Sequence, residues 1–114
     1  MSLGGSARFL VADRRAVWAA GARCSGFITR IDPRTNKQVG VVEGEKSPIG
    51  LALAFGSLWV ADRGAKTIDR VNVRTSRIVA RLAVGGNPGH LAAGFGSIWV
   101  KADAGHVLRI APRS

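Results

Sequence analysis

The strongest constraint on the fold is an internal repeat with a period of about 40 residues. The stretch GLALAFGSLWVAD (Gly50–Asp62) returns as HLAAGFGSIWVKAD (His90–Asp103), and Trp59 and Trp99 are 40 positions apart. A weaker copy is centred on Trp18, which precedes Trp59 by 41 positions. A repeat of this length predicts stacked supersecondary units, because one such unit cannot bury its apolar surface alone.

Each repeat divides into four short segments. RIDPRTNKQV recurs 40 positions later as RVNVRTSRIV, and RIAPRS begins a third copy. The segments are bounded by Gly, Asn, Pro and Asp and are too short for helices, so they predict β-strands. In DPRTNK, Pro33 and Asn36 favour a tight turn between antiparallel strands. The expected strands are Phe9–Ala12, Val17–Ala20, Gly26–Ile31 and Val39–Val42, then Gly50–Ala54, Leu58–Ala61, Thr67–Val73 and Ile78–Val84, then three more in the third repeat.

The second strand of each repeat, LWVA or IWVK, is apolar almost without alternation, which indicates that both of its faces are covered. Four antiparallel strands in about 40 residues, with the inner strands buried, are typical of a β-propeller blade. We therefore predict an all-β fold, a partial β-propeller of almost three four-stranded antiparallel blades. The expected organisation is one domain, 1–114, with blade 1 at 7–46, blade 2 at 47–86 and an incomplete blade 3 at 87–114.

The repeat also carries a family resemblance. The motif PxxLAxxFGSxWVAD, followed by RIDPRTNKQVGVV, resembles the YncE-like or YVTN-type propeller repeats, to which streptogramin-lyase-type and SMP-30-like propellers are related. The chain departs from the usual pattern because it has Trp where Tyr is often found and contains no Tyr. The resemblance implies six to eight blades in a closed ring, and a bacterial, often extracytoplasmic, context. It says little about function, because such propellers have many roles.

Eleven expected strands do not close a ring of that size, and they leave two sheet faces open. Two explanations stand: the chain is a piece of a longer propeller, which we favour, or copies of it assemble into a homo-oligomeric ring. In either case we expect an isolated monomer to be poorly stable, because open sheet faces and unpaired strand edges promote association.

The strong positive charge raises the possibility of a nucleic-acid partner. The formal net charge is +10, and 13 of the 17 basic residues are arginine. Six of these arginines occupy two repeated positions, so we expect them to point outward and to spread the charge around a rim, with pairing to Asp32 and Asp69. Because no basic segment is interleaved with exposed aromatic residues, the sequence argues against nucleic acid as a partner. The repeated arginines are Arg30, Arg70 and Arg109 at one position and Arg34, Arg74 and Arg113 at the other.

The sequence also bears on membrane insertion, secretion and disulfide bonding. The longest apolar run, 48–61, is interrupted by Gly50, Gly56 and Ser57 and is too short for a membrane span, so we expect none. The first residues, MSLGGSARFLVADRR, do not resemble a signal peptide. The single cysteine, Cys24, rules out an intrachain disulfide and is expected to be an inert or exposed thiol.

The loops at one end of the blades hold the candidate ligand-binding residues. In propellers, the loop between strands two and three and the loop joining consecutive blades form a mouth of the central channel. We favour a structural role for the polar residues of these loops. Asn87–Pro88–Gly89 is expected to form a bend, and Asp62 and Asp103 are expected to accept hydrogen bonds from loop amides. The residues expected near this mouth are Asn87, His90, Asp62, Arg63, Asp103 and His106.

Catalytic and cofactor motifs are weak in this sequence. VGGNPGH lacks the spacing of a phosphate-binding loop, and FGSLW lacks the second glycine of a nucleophile elbow. Glu43 and Glu45 do not match the carboxylate set of the lactonase-like relatives, and His90 has no Glu placed opposite it as in the lyase-type relatives. The three tryptophans are expected to be core residues and not an aromatic cage. We therefore predict no catalytic residue, metal or cofactor.

The predicted function is a non-catalytic binding or scaffolding module that engages an unknown protein or small molecule. The alternative is a fragment of a lyase-like or lactonase-like propeller enzyme, with most of its catalytic residues outside this chain. Stabilisation by divalent ions would favour the enzyme, and co-purification of a partner would favour the binding module.

Overall fold

The computed structural model describes residues 7–21, 28–44, 47–84, 86–102 and 106–111, and all regular structure in these ranges is β-strand. Strand follows strand along the chain with short turns between them. The strands are β1 (Ala7–Ala12), β2 (Val17–Gly21), β3 (Ile28–Asp32), β4 (Lys37–Val42), β5 (Pro48–Ala54), β6 (Ser57–Asp62), β7 (Thr67–Asn72), β8 (Arg77–Ala83), β9 (Pro88–Gly94), β10 (Ser97–Ala102) and β11 (His106–Ile110).

The strands form three separate antiparallel sheets in chain order. The sheets are β1-β2-β3-β4, β5-β6-β7-β8 and, within the described residues, β9-β10-β11. The first strands lie side by side, β1 against β5 and β5 against β9, so the sheets converge at their first strands. This arrangement is a partial β-propeller, which confirms the predicted fold class. We call the three sheets blades 1, 2 and 3.

The repeated Phe-Gly-Ser motif forms the turn between the first two strands of blades 2 and 3. Ala54 pairs with Ser57, so Phe55 and Gly56 are the two turn residues, with φ of 53° and 75°. Phe95 and Gly96 repeat this turn with φ of 51° and 72°. Positive φ at both positions is the requirement of a type I′ hairpin turn, whose twist matches that of the flanking strands.

The turns between the third and fourth strands are held by one side chain each. Asp32 Oδ1 accepts a hydrogen bond from the Arg34 amide at 2.9 Å. In blade 2, Asn72 Oδ1 accepts one from the Arg74 amide at 2.8 Å. Asn36 closes the first of these turns in the left-handed region, with φ of 58°. The tight turn predicted from DPRTNK is therefore confirmed.

The core lies between the blades and not within them. One cluster packs Trp18 of blade 1 against Leu58, Val60 and Val71 of blade 2. The other packs Trp59 of blade 2 against Ile98 and Val100 of blade 3. Each blade therefore has a tryptophan face and an aliphatic face, and successive blades stack one against the other. This stacking explains why the apolar motif around the tryptophan recurs in each repeat.

The second strands differ in how fully they are buried. All six residues of β6 are buried, as predicted for a strand covered on both faces. In β10, Trp99 is half-buried and Lys101 is exposed. The prediction of complete burial is therefore wrong for β10, because no described blade covers its tryptophan face.

Candidate functional site

An arginine lies over the tryptophan of every blade. Trp18 pairs with Arg30, Trp59 with Arg70 and Trp99 with Arg109 across neighbouring strands. The guanidinium carbons are 5.6, 5.2 and 5.4 Å from the respective ring centroids. These distances suit a cation–π interaction, which becomes stronger when the pair is shielded from water.

The prediction that these arginines point outward is wrong for Arg30 and Arg70, whereas Arg109 is exposed. Arg30 and Arg70 are half-buried because the cross-strand register turns their side chains onto the indole rings at the interface between blades. The second set of repeated arginines is exposed: the side chain of Arg34 is 88% exposed and lies 3.7 Å from the carboxylate of Asp32. Asp69 pairs instead with Arg81, at 3.6 Å. Arg113 lies outside the described residues.

A serine positions the arginine in blades 2 and 3. Arg70 Nε donates to Ser57 Oγ at 2.8 Å, and Arg109 Nε donates to Ser97 Oγ at 2.8 Å. Ala16 occupies the matching position in blade 1, and Arg30 Nε is buried without a hydrogen-bond partner. Sequence reasoning missed these contacts, although the repeated FGS serine and the arginine on the adjacent strand were the available signal.

Three of the predicted mouth residues line one cavity. Arg63, Asn87 and His90 surround a space of about 250 Å³ together with Lys101, which sequence reasoning did not select. The cavity lies between the loop after β6 and the connection from β8 to β9, as expected from the propeller topology. Its lining carries positive charge and no carboxylate among the described residues.

Asp62 is at the same end of the blade but has a structural role. Its carboxylate is buried, and Oδ1 accepts hydrogen bonds from the amides of Ser47 at 2.9 Å and Ala65 at 3.2 Å. These contacts are the turn chemistry expected from the sequence. Asp103 lies outside the described residues. His106 begins β11, and its side chain also lies outside the described part of the structure.

The tryptophan face of blade 3 is open in the described structure. Trp18 and Trp59 are 1% and 2% exposed, whereas Trp99 is only half-buried and Phe95 beside it is 93% exposed. The face carries an apolar depression of about 710 Å³, whose lining residues are Ala92, Ala93, Gly94, Phe95, Trp99 and Arg109. Trp99 Nε1 donates to the Gly94 carbonyl at 2.9 Å, so the polar group of the indole is satisfied and the ring surface is left for contact.

Among the described residues, no three His, Cys, Asp or Glu side chains are grouped closely enough to hold a metal ion. The same part of the chain contains no helix that is long and apolar enough to cross a membrane.

No family model matches this chain, and no curated protein matches it in sequence. Its fold is nevertheless shared with many solved structures. Kuenenia stuttgartiensis hydrazine synthase superposes with a TM-score of 0.76 at 16% identity, over 85% of this chain and 29% of that one. The β-propeller domain of Myceliophteria thermophila Cps50 (Swd1) gives 0.75 at 12% identity, over 97% and 38%. The WD40 β-propeller domain of Doa1 gives 0.75 at 18% identity, over 95% and 37%.

Two of these structures are β-propeller domains, and at such low identity the similarities establish the fold alone. The chain spans about a third of the length of the three structures. They do not single out the YncE-like or YVTN-type family.

Proposed function

We propose that the chain is a β-propeller binding or scaffolding module whose open tryptophan face receives a further blade of the same kind. The observation that carries this proposal is the difference between equivalent tryptophans. Trp18 and Trp59 are each covered by the aliphatic face of the next blade, whereas no blade in the described part of the chain covers Trp99. A large exposed apolar patch of this type marks an interaction site.

The opposite end of the molecule supplies a matching surface. Leu10 on β1 is 62% exposed and corresponds to Leu51, which packs into the cluster around Trp18. The free face of blade 1 is thus the aliphatic type that covers a tryptophan face in the two internal interfaces. A second copy can present this face to Trp99 in a head-to-tail contact, which generates a ring if the rotation closes.

One residue opposes tight stacking on this face. Lys101 occupies the position of Ala20 and Ala61, both of which are completely buried in the internal interfaces. Burying an ammonium group without a partner is costly, so Lys101 must reach solvent at the mouth end when a blade docks. Its charge is expected to weaken the contact between copies.

The test is sedimentation velocity of the chain over a wide range of concentrations. We expect reversible association that Lys101→Ala strengthens by about tenfold or more, because no charged side chain then has to be moved aside to solvent when a blade docks. Phe95→Glu and Leu10→Glu, one on each open face, should weaken association. The matched control is Val39→Glu on the outermost strand of blade 1, where Val39 is 53% exposed.

A compact monomer at every concentration, unchanged by Lys101→Ala, would contradict the proposal. Equal effects of Val39→Glu and Phe95→Glu would also contradict it, because they would indicate general solubility and not a defined face.

The mouth cavity is a second proposed binding surface of this module. Arg63, Asn87 and His90 are brought together there, which supports the ligand-binding role proposed for them. Asp103 and His106 remain proposed members of the same site, whereas the contacts of Asp62 favour a structural role. Within the described residues, no cluster of side chains favours the enzyme alternative.

A further inference from the structure

We propose a binding site for a phosphate monoester at the end of blade 2 beside the first turn of blade 1, on the side of the propeller opposite the mouth cavity. The site is a depression of about 450 Å³ that three arginines line from two different blades. It touches neither of the two open faces, so it does not depend on self-association. Its lining residues are Arg15, Gly56, Ser57, Arg70, Asn72, Val73, Arg74 and Val79.

The three arginines reach the depression from three different loops or strands. Arg15 lies in the turn between β1 and β2, Arg70 in β7, and Arg74 in the turn between β7 and β8. None of the lining residues carries a negative charge. Guanidinium groups match the oxygen geometry of a phosphate group, and a dianion compensates the mutual repulsion of the three cations.

The backbone around the arginines is fixed before any ligand binds. Asp13 Oδ1 accepts hydrogen bonds from the amides of Arg15 at 2.8 Å and Ala16 at 3.1 Å. Asn72 Oδ1 holds the amide of Arg74, as described above. The guanidinium of Arg70 is oriented by Ser57 Oγ and the Trp59 ring. Less conformational freedom is therefore lost on binding than with three free surface arginines.

The repeat alone does not account for this site, because the first turn of blade 1 differs in sequence from the first turns of blades 2 and 3. Where blades 2 and 3 have Ala-Phe-Gly and Gly-Phe-Gly in the first turn, blade 1 has Asp13-Arg14-Arg15. Gly56 is therefore the counterpart of Arg15 at the next interface, where this cation is missing. Stacking of blades does not require the substitution, because the interface between blades 2 and 3 forms without it.

The apolar residues of the lining indicate what kind of organic group is attached to the phosphate. Val73 and Val79 both belong to the lining, and Val79 is 58% exposed. The depression is much larger than a phosphate group, so its remaining volume suits a small organic group. Exposed aliphatic side chains favour an aromatic or aliphatic group there.

The test is calorimetric titration of the chain with phenyl phosphate, inorganic phosphate and benzyl alcohol at one ionic strength, together with amide NMR shifts. We expect one saturable site for phenyl phosphate, weaker binding of inorganic phosphate and none of benzyl alcohol. The shifted amides should include those of Gly56 and Arg74. Arg15→Gln and Arg74→Gln should each weaken phenyl phosphate binding by about tenfold or more, because each removes a charge-assisted contact.

The matched control is Arg34→Gln, which removes the same charge from the corresponding turn of blade 1, 40 positions before Arg74. Affinity should change less than about twofold in this variant, because Arg34 does not line the depression and its exposed charge is screened by solvent and salt. Equal losses in Arg34→Gln and Arg74→Gln would overturn the proposal in favour of diffuse attraction to a basic protein. Non-saturable binding, or shifts confined to Arg63 and His90, would also overturn it.

Discussion

Arg30 shows how one substitution within a repeat changes the local energetics. Its Nε atom is buried and lacks the serine partner that Arg70 and Arg109 have, because Ala16 replaces Ser57 and Ser97. Ala16→Ser should restore the hydrogen bond and raise the free energy of unfolding by about 1 kcal/mol. Urea denaturation monitored by tryptophan fluorescence would measure the change as a higher midpoint at an unchanged slope.

The reverse change in blade 2 is the control for this prediction. Ser57→Ala should lower the free energy of unfolding by about 1–2 kcal/mol, because it leaves Arg70 Nε buried without its present acceptor. If Ala16→Ser destabilises the protein as much as Ser57→Ala does, the geometry of blade 1 does not match that of blade 2 and the assignment fails.

The repeat predicted which residues are equivalent but not which way their side chains point. A period of 40 places Arg30, Arg70 and Arg109 at one position, whichever face of the blade that position occupies. The face depends on cross-strand pairing: Arg30 and Arg70 lie directly opposite Trp18 and Trp59 in uninterrupted register, so they share the tryptophan face. The repeat alone does not give this register, because a slip of one residue would move every side chain of the strand to the other face.

At the level of the element, the turn between β9 and β10 carries an unfavourable residue. Phe95 has a positive φ and an almost fully exposed ring, and a bulky side chain is rarely found in that region. Asn adopts it readily and favours the type I′ turn. Phe95→Asn should therefore stabilise the monomer by about 0.5–1 kcal/mol in urea denaturation while it weakens association through the open face.

Phe55 provides the comparison because it has the same turn geometry but is only 44% exposed. Phe55→Asn should give a smaller gain or a net loss, since the removed ring is packed against neighbouring atoms. A destabilised Phe95→Asn monomer would show that the ring of Phe95 makes contacts that its exposure does not reveal.

The strands were largely predictable from the sequence because each short apolar run ends at a turn residue with a specific conformational preference. Asn36 and Gly56 are examples, and both have positive φ in the structure. The interruptions of pairing were not predictable. Gly50 lies next to such an interruption, and a Cβ there would be 3.0 Å from Leu91 and 3.3 Å from the Gly89 carbonyl. That crowding comes from the neighbouring blade and depends on the tertiary arrangement.

For the whole molecule, stability depends on contacts between blades, as in other repeat architectures. The sequence predicted the stacking, because it follows from the order of strands in a blade, and the ligand-binding role of the mouth residues stays a prediction. It could not show which of the charged residues would meet across a blade interface. Arg15 illustrates this limit, since its neighbours Arg70 and Arg74 are more than 50 positions away along the chain.

Arg81 is a polar link between blades 1 and 2. Its Nη2 donates to the Gly44 carbonyl at 2.7 Å, and its Nη1 lies 3.6 Å from Oδ2 of Asp69, which is completely buried. Arg81→Met should lower the free energy of unfolding by about 2 kcal/mol, because it leaves the Asp69 carboxylate buried without its counter-charge. Thr67 still donates to Oδ1 at 2.8 Å, which limits the loss.

The double variant separates the charge effect from the link between blades. Asp69→Asn combined with Arg81→Met should recover most of the stability if the isolated carboxylate is the main cost. Hydrogen exchange would then show whether blade 1 still opens together with blade 2. If the single variant is as stable as the parent chain, the ion pair contributes nothing. If the double variant recovers stability but blade 1 opens separately from blade 2, the contact between Arg81 and Gly44 couples the blades.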